Sequence, residues 1–392
     1  LDPELVGEVL AVIRDLARRY SEQLAAATFE QTREVVAAAA HRREFLAERA
    51  VVEWSSPRDL VRKLERSADK DGEVSGVTWG TVTEPNAPVA FVFSGNGSQW
   101  PGMGRDAYRA NRRFRETFDE VDALFDSEYG WSITEALFAA DLERRLRFTH
   151  IAQPLIFAIQ IAAARTLSAE GLEPSVVLGH SVGEIAAATV AGALSLRAGV
   201  KVVQARSAHQ ETVRDAGRMA VVMSSGGDLA ALCDEIGSGL EIAAENSPRN
   251  FTVAGPTEAV AALGALARRR RIVFKQLDLD YPFHCGVMDA VRGPLLADLA
   301  DLGAGLPKIP MVSTVTGRLA DTPPDADYWW RNVREPVRFA PALLEAAETA
   351  RIFVEISPRS VLQSNIAETL EGSGRPFAAI GVLERRETPD HR

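Results

Sequence analysis

The residue best placed to do chemistry in this 392-residue chain is Ser181, at the centre of Gly179-His-Ser-Val-Gly183. Three apolar residues, Val176-Val-Leu178, run into the turn, and the helix-forming run Glu184-Ile-Ala-Ala-Ala188 follows it. Strand, sharp turn and helix with a serine at the apex expose the hydroxyl on the strand's C-terminal side. Glycines two before and two after the serine let the backbone turn without Cβ clashes. The next backbone N–H groups open a helix and can face a developing oxyanion. A serine hydroxyl is a poor nucleophile until a base takes its proton, so a histidine is needed within hydrogen-bond reach. Of the six histidines, His180 diverges from its neighbour on such a turn, and His41 and His391 fall in linker regions. His150 and His209 sit in or beside helices, which leaves His284, between Phe283 and Cys285, as the general base.

Three further features bear on a site. Arg206 stands among Val202, Val203 and Ala205, as a buried cation that needs an anionic partner. The partner is either an internal carboxylate or a ligand's, and the residues alone leave both open. Gln153, with Pro154, opens an apolar helix expected over Leu155–Leu167 and is either a satisfied cap or a polar group aimed into a cleft. The buried strand Val89–Phe93 ends in Ser94-Gly-Asn-Gly-Ser-Gln99 without the Gly-Lys-Ser/Thr of a phosphate loop, so its backbone N–H groups are the useful part. A competing chemistry uses the same serine: a hydrolase or thioesterase in which Asp278 or Asp280 supplies a third member in the chain order Ser–Asp–His.

The elements that must hold these residues read as α/β. Residues 1–85 form a separate unit, with Leu5, Val9, Leu10, Ile13 and Leu16 at helical spacing, a second helix over Thr28–Ala40, a strand Ala50–Trp54 and a third helix from Ser56-Pro57. A large α/β subdomain is expected over 86–216 and 281–375. Between its two parts, 217–280 runs strand, helix, strand, strand, helix, strand, the ferredoxin-like βαββαβ order. Beyond His284 come a helix over Val287–Leu302 and a strand Met311–Ser313, and 376–392 reads as a C-terminal linker.

Composition bounds the function. Hydrophobic residues make up 46% and the net charge is −10, which fits a globular protein and argues against nucleic-acid binding. Two cysteines, Cys233 and Cys285, cannot make a disulfide framework, so a reducing, cytoplasmic setting is expected. No apolar run reads as long enough to cross a membrane. The chain begins at Leu1 and reads as a piece of a longer polypeptide.

Six segments resemble one family: Phe91-Val-Phe-Ser-Gly-Asn-Gly-Ser-Gln-Trp100, Gly179-His-Ser-Val-Gly-Glu184, Gln204-Ala-Arg206, Tyr281-Pro-Phe-His284, Asn332-Val-Arg-Glu-Pro-Val-Arg-Phe339 and Val354-Glu-Ile-Ser-Pro358. In order and spacing, over roughly 85–375, they are similar to the acyltransferase domain of a type I polyketide synthase, related to malonyl-CoA:acyl carrier protein transacylases. The resemblance implies an α/β-hydrolase-like large subdomain with the ferredoxin-like insert, preceded by an α/β linker from a ketosynthase. It implies that Ser181 is acylated by a CoA thioester with His284 as base, and that a carbonyl at the position of Asn332 orients the histidine. The oxyanion would be held by the N–H groups of Val182 and Asn96; Asn96 departs from the family's usual Gln, which a backbone donor tolerates. Arg206 would pair with the free carboxylate of a dicarboxylic extender unit, and Gln153, Asn246, Tyr281 and Phe283 would line the pocket. Phe283 and Val182 resemble malonyl-selective members, whereas Tyr281 resembles the methylmalonyl form, so malonyl is expected with a methylmalonyl or relaxed preference as the alternative. The implied partners are an acyl carrier protein, the CoA thioester and an adjacent ketosynthase domain, with no permanent cofactor and no metal.

Overall fold

The computed structural model describes residues 3–41, 47–69, 74–82, 84–237 and 239–383, with side chains at 3–12, 41 and 81 excepted. The polar stretch Lys70-Asp-Gly-Glu73 and the tail 384–392, with His391, lie outside the described residues, as do the side chains of Leu5, Val9, Leu10 and His41. The chain divides into two compact units, Leu1–Asn86 and Ala87–Arg392.

In the first unit, helices Pro3–Leu24 and Pro57–Asp69 pack through Ala17, Leu24, Leu60, Leu64 and Ala68. Glu48–Val52 pairs antiparallel with Val77–Thr81, a strand the sequence reading did not include.

In the second unit a six-stranded sheet runs Arg318–Leu319, Met311–Ser313, Val176–Gly179, Val89–Phe93, Ile352–Ile356, Ala378–Gly381, parallel throughout except for its first edge strand. Val89-Ala-Phe-Val-Phe93 is buried at every position, as a parallel strand covered on both faces requires. Its residues divide by alternation: Val89, Phe91 and Phe93 pack with helix Thr149–Ala169, while Ala90 and Val92 pack with Phe339–Ala347 and Gln363–Glu371. Fully burying one such Phe is worth about 1.5–3 kcal/mol. The C-terminal ends of the neighbouring strands Val89–Phe93 and Val176–Gly179 lie side by side, where open parallel sheets place their sites.

The second sheet runs Val337–Arg338, Glu241–Glu245, Asn250–Gly255, Arg218–Met223, Val273–Gln276. The last four are antiparallel to one another and are joined in the order strand, helix, strand, strand, helix, strand. The fifth comes from outside 217–280: Val337–Arg338 joins parallel to Glu241–Glu245 and ties the segment after Asn332 to this sheet.

Four expectations are corrected. The proposed linker from 376 holds the strand Ala378–Gly381, which extends the large sheet beside Ile352–Ile356. The stretch expected as one helix over 287–302 is a 3-10 turn, Gly286–Val291, followed by a short helix, Arg292–Asp298. The apolar helix begins at Thr149 rather than at Leu155, with Pro154 inside it. Its first N–H, on Thr149, is taken by the Glu211 carboxylate, a tertiary cap that local sequence does not carry. At 21 residues this helix is, by length and composition, apolar enough to span a membrane, contrary to the sequence reading; 78% of its most apolar window is buried in the core instead.

Candidate active site

The backbone at Ser181 is built by its neighbours. Ser181 has φ +54°, in the left-handed region that costs a residue with a Cβ about 1–3 kcal/mol. His180 N–H donates to Phe93 O at 2.7 Å, which pins the turn to the adjacent strand. A Cβ added at Gly183 would sit 2.2 Å from Phe93 O, so only glycine allows the helix to start this close to the sheet. The loop after Val89–Phe93 lies equally close: a Cβ on Gly95 would meet His180 O at 2.7 Å and Ser181 Cβ at 3.5 Å. The N–H groups of Val182 and Asn96 find no acceptor among the described residues, while Gly97 N–H is taken by Gln99 Oε1 at 2.7 Å.

Ser181 Oγ lies 2.8 Å from His284 Nε2 and accepts from Arg206 Nη2 at 2.9 Å. His284, at φ +59°, is the second strained residue of the pair. Its Nδ1 is 3.0 Å from the backbone carbonyl of Glu335. A carbonyl only accepts, so Nδ1 carries the hydrogen and Nε2 is free to take the serine's proton. Here the expectation for Asn332 is corrected. Its amide Nδ2 donates to Ser181 O at 3.3 Å and to Glu184 Oε2 at 2.7 Å, and its Oδ1 accepts from Arg206 Nε at 3.3 Å. It orients the arginine and the serine's backbone, and Glu335 orients the histidine. Asn332 ends inside helix Ala326–Arg334, whereas Glu335 precedes Pro336 and is extended (φ −81°, ψ 159°), which turns its carbonyl out of the helix.

Arg206 is 1% exposed, and its bonds go to neutral groups: Asn332, Ser181, Gln153 Oε1 at 2.6 Å and Gln210 Oε1 at 3.0 Å. No carboxylate among the described residues pairs with it; Glu184 reaches it only through space. Burial pulls its pKa down to about 9 with Glu184 opposing, so it remains a cation at neutral pH. His284 is held down to about 3, first by burial, then by the charge of Arg206 and of His180, against the support of the Glu335 carbonyl. The imidazole is therefore neutral and able to act as a base.

The remaining expected residues surround this core. Gln153 is fully buried, donates to Thr149 Oγ1 and Gln210 Oε1, and is the acceptor that steadies Arg206. Phe283 stacks on Tyr281 with centroids 5.1 Å apart and planes 7° off parallel, and the Tyr281 hydroxyl donates to Glu211 at 2.8 Å. Asn246, in the turn after Glu241–Glu245, meets His180 Nε2 at 2.8 Å through Oδ1, beside the serine rather than on it. Asp278 and Asp280 face Arg147 and Arg214, at 3.6 and 3.1 Å, and neither meets His284, so the three-membered arrangement weighed above is absent.

Glu184, Gln210 and Glu335 were given no role from the sequence. Gln210 is four residues after Arg206 on one helix face, a readable spacing. Glu335 acts through its backbone, so its side chain gives no signal and only the following proline does.

The family described as acyl transferase domain matches residues 90–391. A polyketide synthase of Streptomyces halstedii, GfsB, is 36% identical over 342 residues, 86% of this chain and 6% of the relative, so the chain spans a small fraction of that relative's length. The acyltransferase domain from module 8 of the salinomycin polyketide synthase is similar over 96% of this chain and 89% of its own, with TM-score 0.90 and 29% identity. The acyl transferase domain of SpnD, solved in complex with 2-(pent-4-yn-1-yl)malonyl, gives 0.83 and 30% over 98% and 89%.

Proposed function

Because this chain belongs to the acyl transferase domain family, among the domains of type I polyketide synthases, we propose that it loads a malonyl unit from CoA, through an ester on Ser181, onto the phosphopantetheine thiol of an acyl carrier protein. One observation carries the reading: the Ser181 hydroxyl is shared between a neutral imidazole at 2.8 Å and a buried guanidinium at 2.9 Å that no carboxylate among the described residues pairs with. A buried cation of this kind suits an incoming carboxylate, which it can grip with two parallel hydrogen bonds.

In the first half-reaction His284 Nε2 takes the Oγ proton as Oγ bonds to the thioester carbon. The carbonyl oxygen becomes an oxyanion before the N–H groups of Val182 and Asn96. The carbon–sulfur bond then breaks, and the CoA sulfur leaves with the proton from His284. The carrier thiol repeats the steps in reverse order of partners. On this reading 1–85 is the segment that follows a ketosynthase, 217–280 is a ferredoxin-like insert in an α/β-hydrolase-like body, and the ketosynthase is the neighbour in the parent polypeptide. The substituted malonyl bound by SpnD fits a family in which the carboxylate is constant and the α-substituent varies. The resemblance assigns Phe283 to the space an α-methyl group needs, and its stack on Tyr281 would hold it there, which supports malonyl.

The test is to offer an equal mixture of malonyl-CoA and methylmalonyl-CoA and weigh the acyl-enzyme. Malonyl on Ser181 is expected as the main adduct; an unacylated protein that only hydrolyses the thioesters would reject the transferase reading.

A further inference from the structure

Glu184 is a buried acid that the transfer chemistry above does not use. It is the second residue of the helix after the serine turn, and its exposure is 0%. Both oxygens are engaged: Oε1 accepts from Thr314 N–H at 2.8 Å and the Tyr328 hydroxyl at 2.6 Å, and Oε2 from Thr314 Oγ1 at 2.9 Å and Asn332 Nδ2 at 2.7 Å. Burial pushes the Glu184 pKa above its ordinary value, and the hydrogen bonds from Tyr328, Thr314 and Asn332 oppose that shift. A side-chain amide can point either way round, but a carboxylate facing it only accepts. Glu184 therefore forces Nδ2 of Asn332 toward itself. The second hydrogen of that nitrogen then reaches Ser181 O, and Oδ1 is left facing Arg206 Nε. Were the amide reversed, its NH2 would meet the guanidinium donor to donor. The negative charge also opposes the effect of burial on Arg206.

Resting on the acyltransferase reading, we infer that Glu184 is a positioning residue for dicarboxylic substrates: through the amide of Asn332 it sets the guanidinium of Arg206 and the carbonyl of Ser181. It touches no reacting atom. Glu184→Gln keeps the volume but sets an NH2 against either Asn332 or the Thr314 N–H, whichever way the new amide turns.

The experiment compares malonyl with acetyl loading of Ser181, in competition and per folded protein, for wild type, Glu184→Gln and Tyr328→Phe. In Glu184→Gln the malonyl-to-acetyl ratio should fall about tenfold, the size of one hydrogen bond to a charged group. Tyr328→Phe also deprives Glu184 of a donor but leaves Asn332 held, so it should lower thermal stability and keep the ratio. Should Glu184→Gln not fold, Asn332→Ala cuts the same relay and carries the same expected fall. A ratio within twofold of wild type in whichever of these two folds overturns the inference. A wild type that does not load malonyl would instead remove the proposed function, so the two failures are distinguishable.

Discussion

Ser181 and His284 share a backbone oddity and reach it by different routes. Both have positive φ, +54° and +59°. At Ser181 the conformation is made locally: a strand, a turn and a helix within fifteen residues, closed by the His180 N–H on the neighbouring strand. At His284 no regular element flanks the residue on its N-terminal side. The segment Tyr281–Cys285 is held by groups far away in sequence: Glu211 on Tyr281, the Glu335 carbonyl on Nδ1, and Ser181 on Nε2. The nucleophile is thus a local object and the base a tertiary one. That contrast sets how each responds to change.

The largest expected effect tests the pairing itself. His284→Ala should slow acylation by about 10²–10⁴-fold, the usual worth of a positioned base, with the fold retained. A burst of CoA release followed against wild type measures it. A loss under tenfold would mean that the imidazole at 2.8 Å is not the base.

Arg206→Ala comes next and reaches both regions at once. Losing a charge-assisted pair worth about 1.5–3 kcal/mol should cut malonyl loading relative to acetyl by roughly 10- to 150-fold. It should also change the pH profile. Burial is the first cause of the low pKa of His284 and Arg206 the second, so removing the cation raises it and moves the acid limb of kcat/KM upward in pH. The sign for stability follows from the same value. With about 3 in the folded chain and 6.5 as its ordinary value, His284 contributes stability above pH 6.5 that is lost as pH falls toward 3. The melting temperature of His284→Ala should accordingly fall less than that of wild type across this window.

The legibility of the site divides along the same line. The serine turn was readable because its signal is contiguous: apolar strand, spaced glycines, helix former. Arg206 was readable as an apolar stretch with one cation in it, yet its partners, Gln153 and Asn332, lie on two other helices, and the residues alone left open whether a carboxylate met it. Glu335 was hidden because a backbone carbonyl has no residue type. The start of the long helix was misplaced because its cap, Glu211, comes from 62 positions away. The strand Ala378–Gly381 is hidden from a reading of the sequence because it is a half-exposed edge of only four residues, next to a polar tail.

A smaller effect falls on selectivity. Phe283 moves with the tertiary segment and is steadied by Tyr281. Phe283→Ser should raise methylmalonyl relative to malonyl loading by about 10-fold or more, since one methyl group in a pocket is worth roughly 1–3 kcal/mol. Competition loading read by intact mass gives the ratio, and an unchanged ratio would move the determinant elsewhere in the pocket.

The smallest effect sharpens the comparison most directly, because it asks whether the two strained positions are alike once chemistry is removed. A residue with a Cβ costs about 1–2 kcal/mol in the left-handed region, and glycine escapes that cost while adding chain entropy to the unfolded state. Ser181→Gly should therefore be more stable than Ser181→Ala, and His284→Gly more stable than His284→Ala, by roughly 0.5–1 kcal/mol in each pair. Thermal or urea unfolding of the four variants measures both differences against a common background. Equal gains mean that each backbone is fixed independently of its side chain, locally at 181 and by the distant contacts of its neighbours at 284. A gain at 181 with none at 284 means that the imidazole's own bonds to Glu335 and Ser181 hold the positive φ, so that the strain relaxes in either variant once the ring is gone.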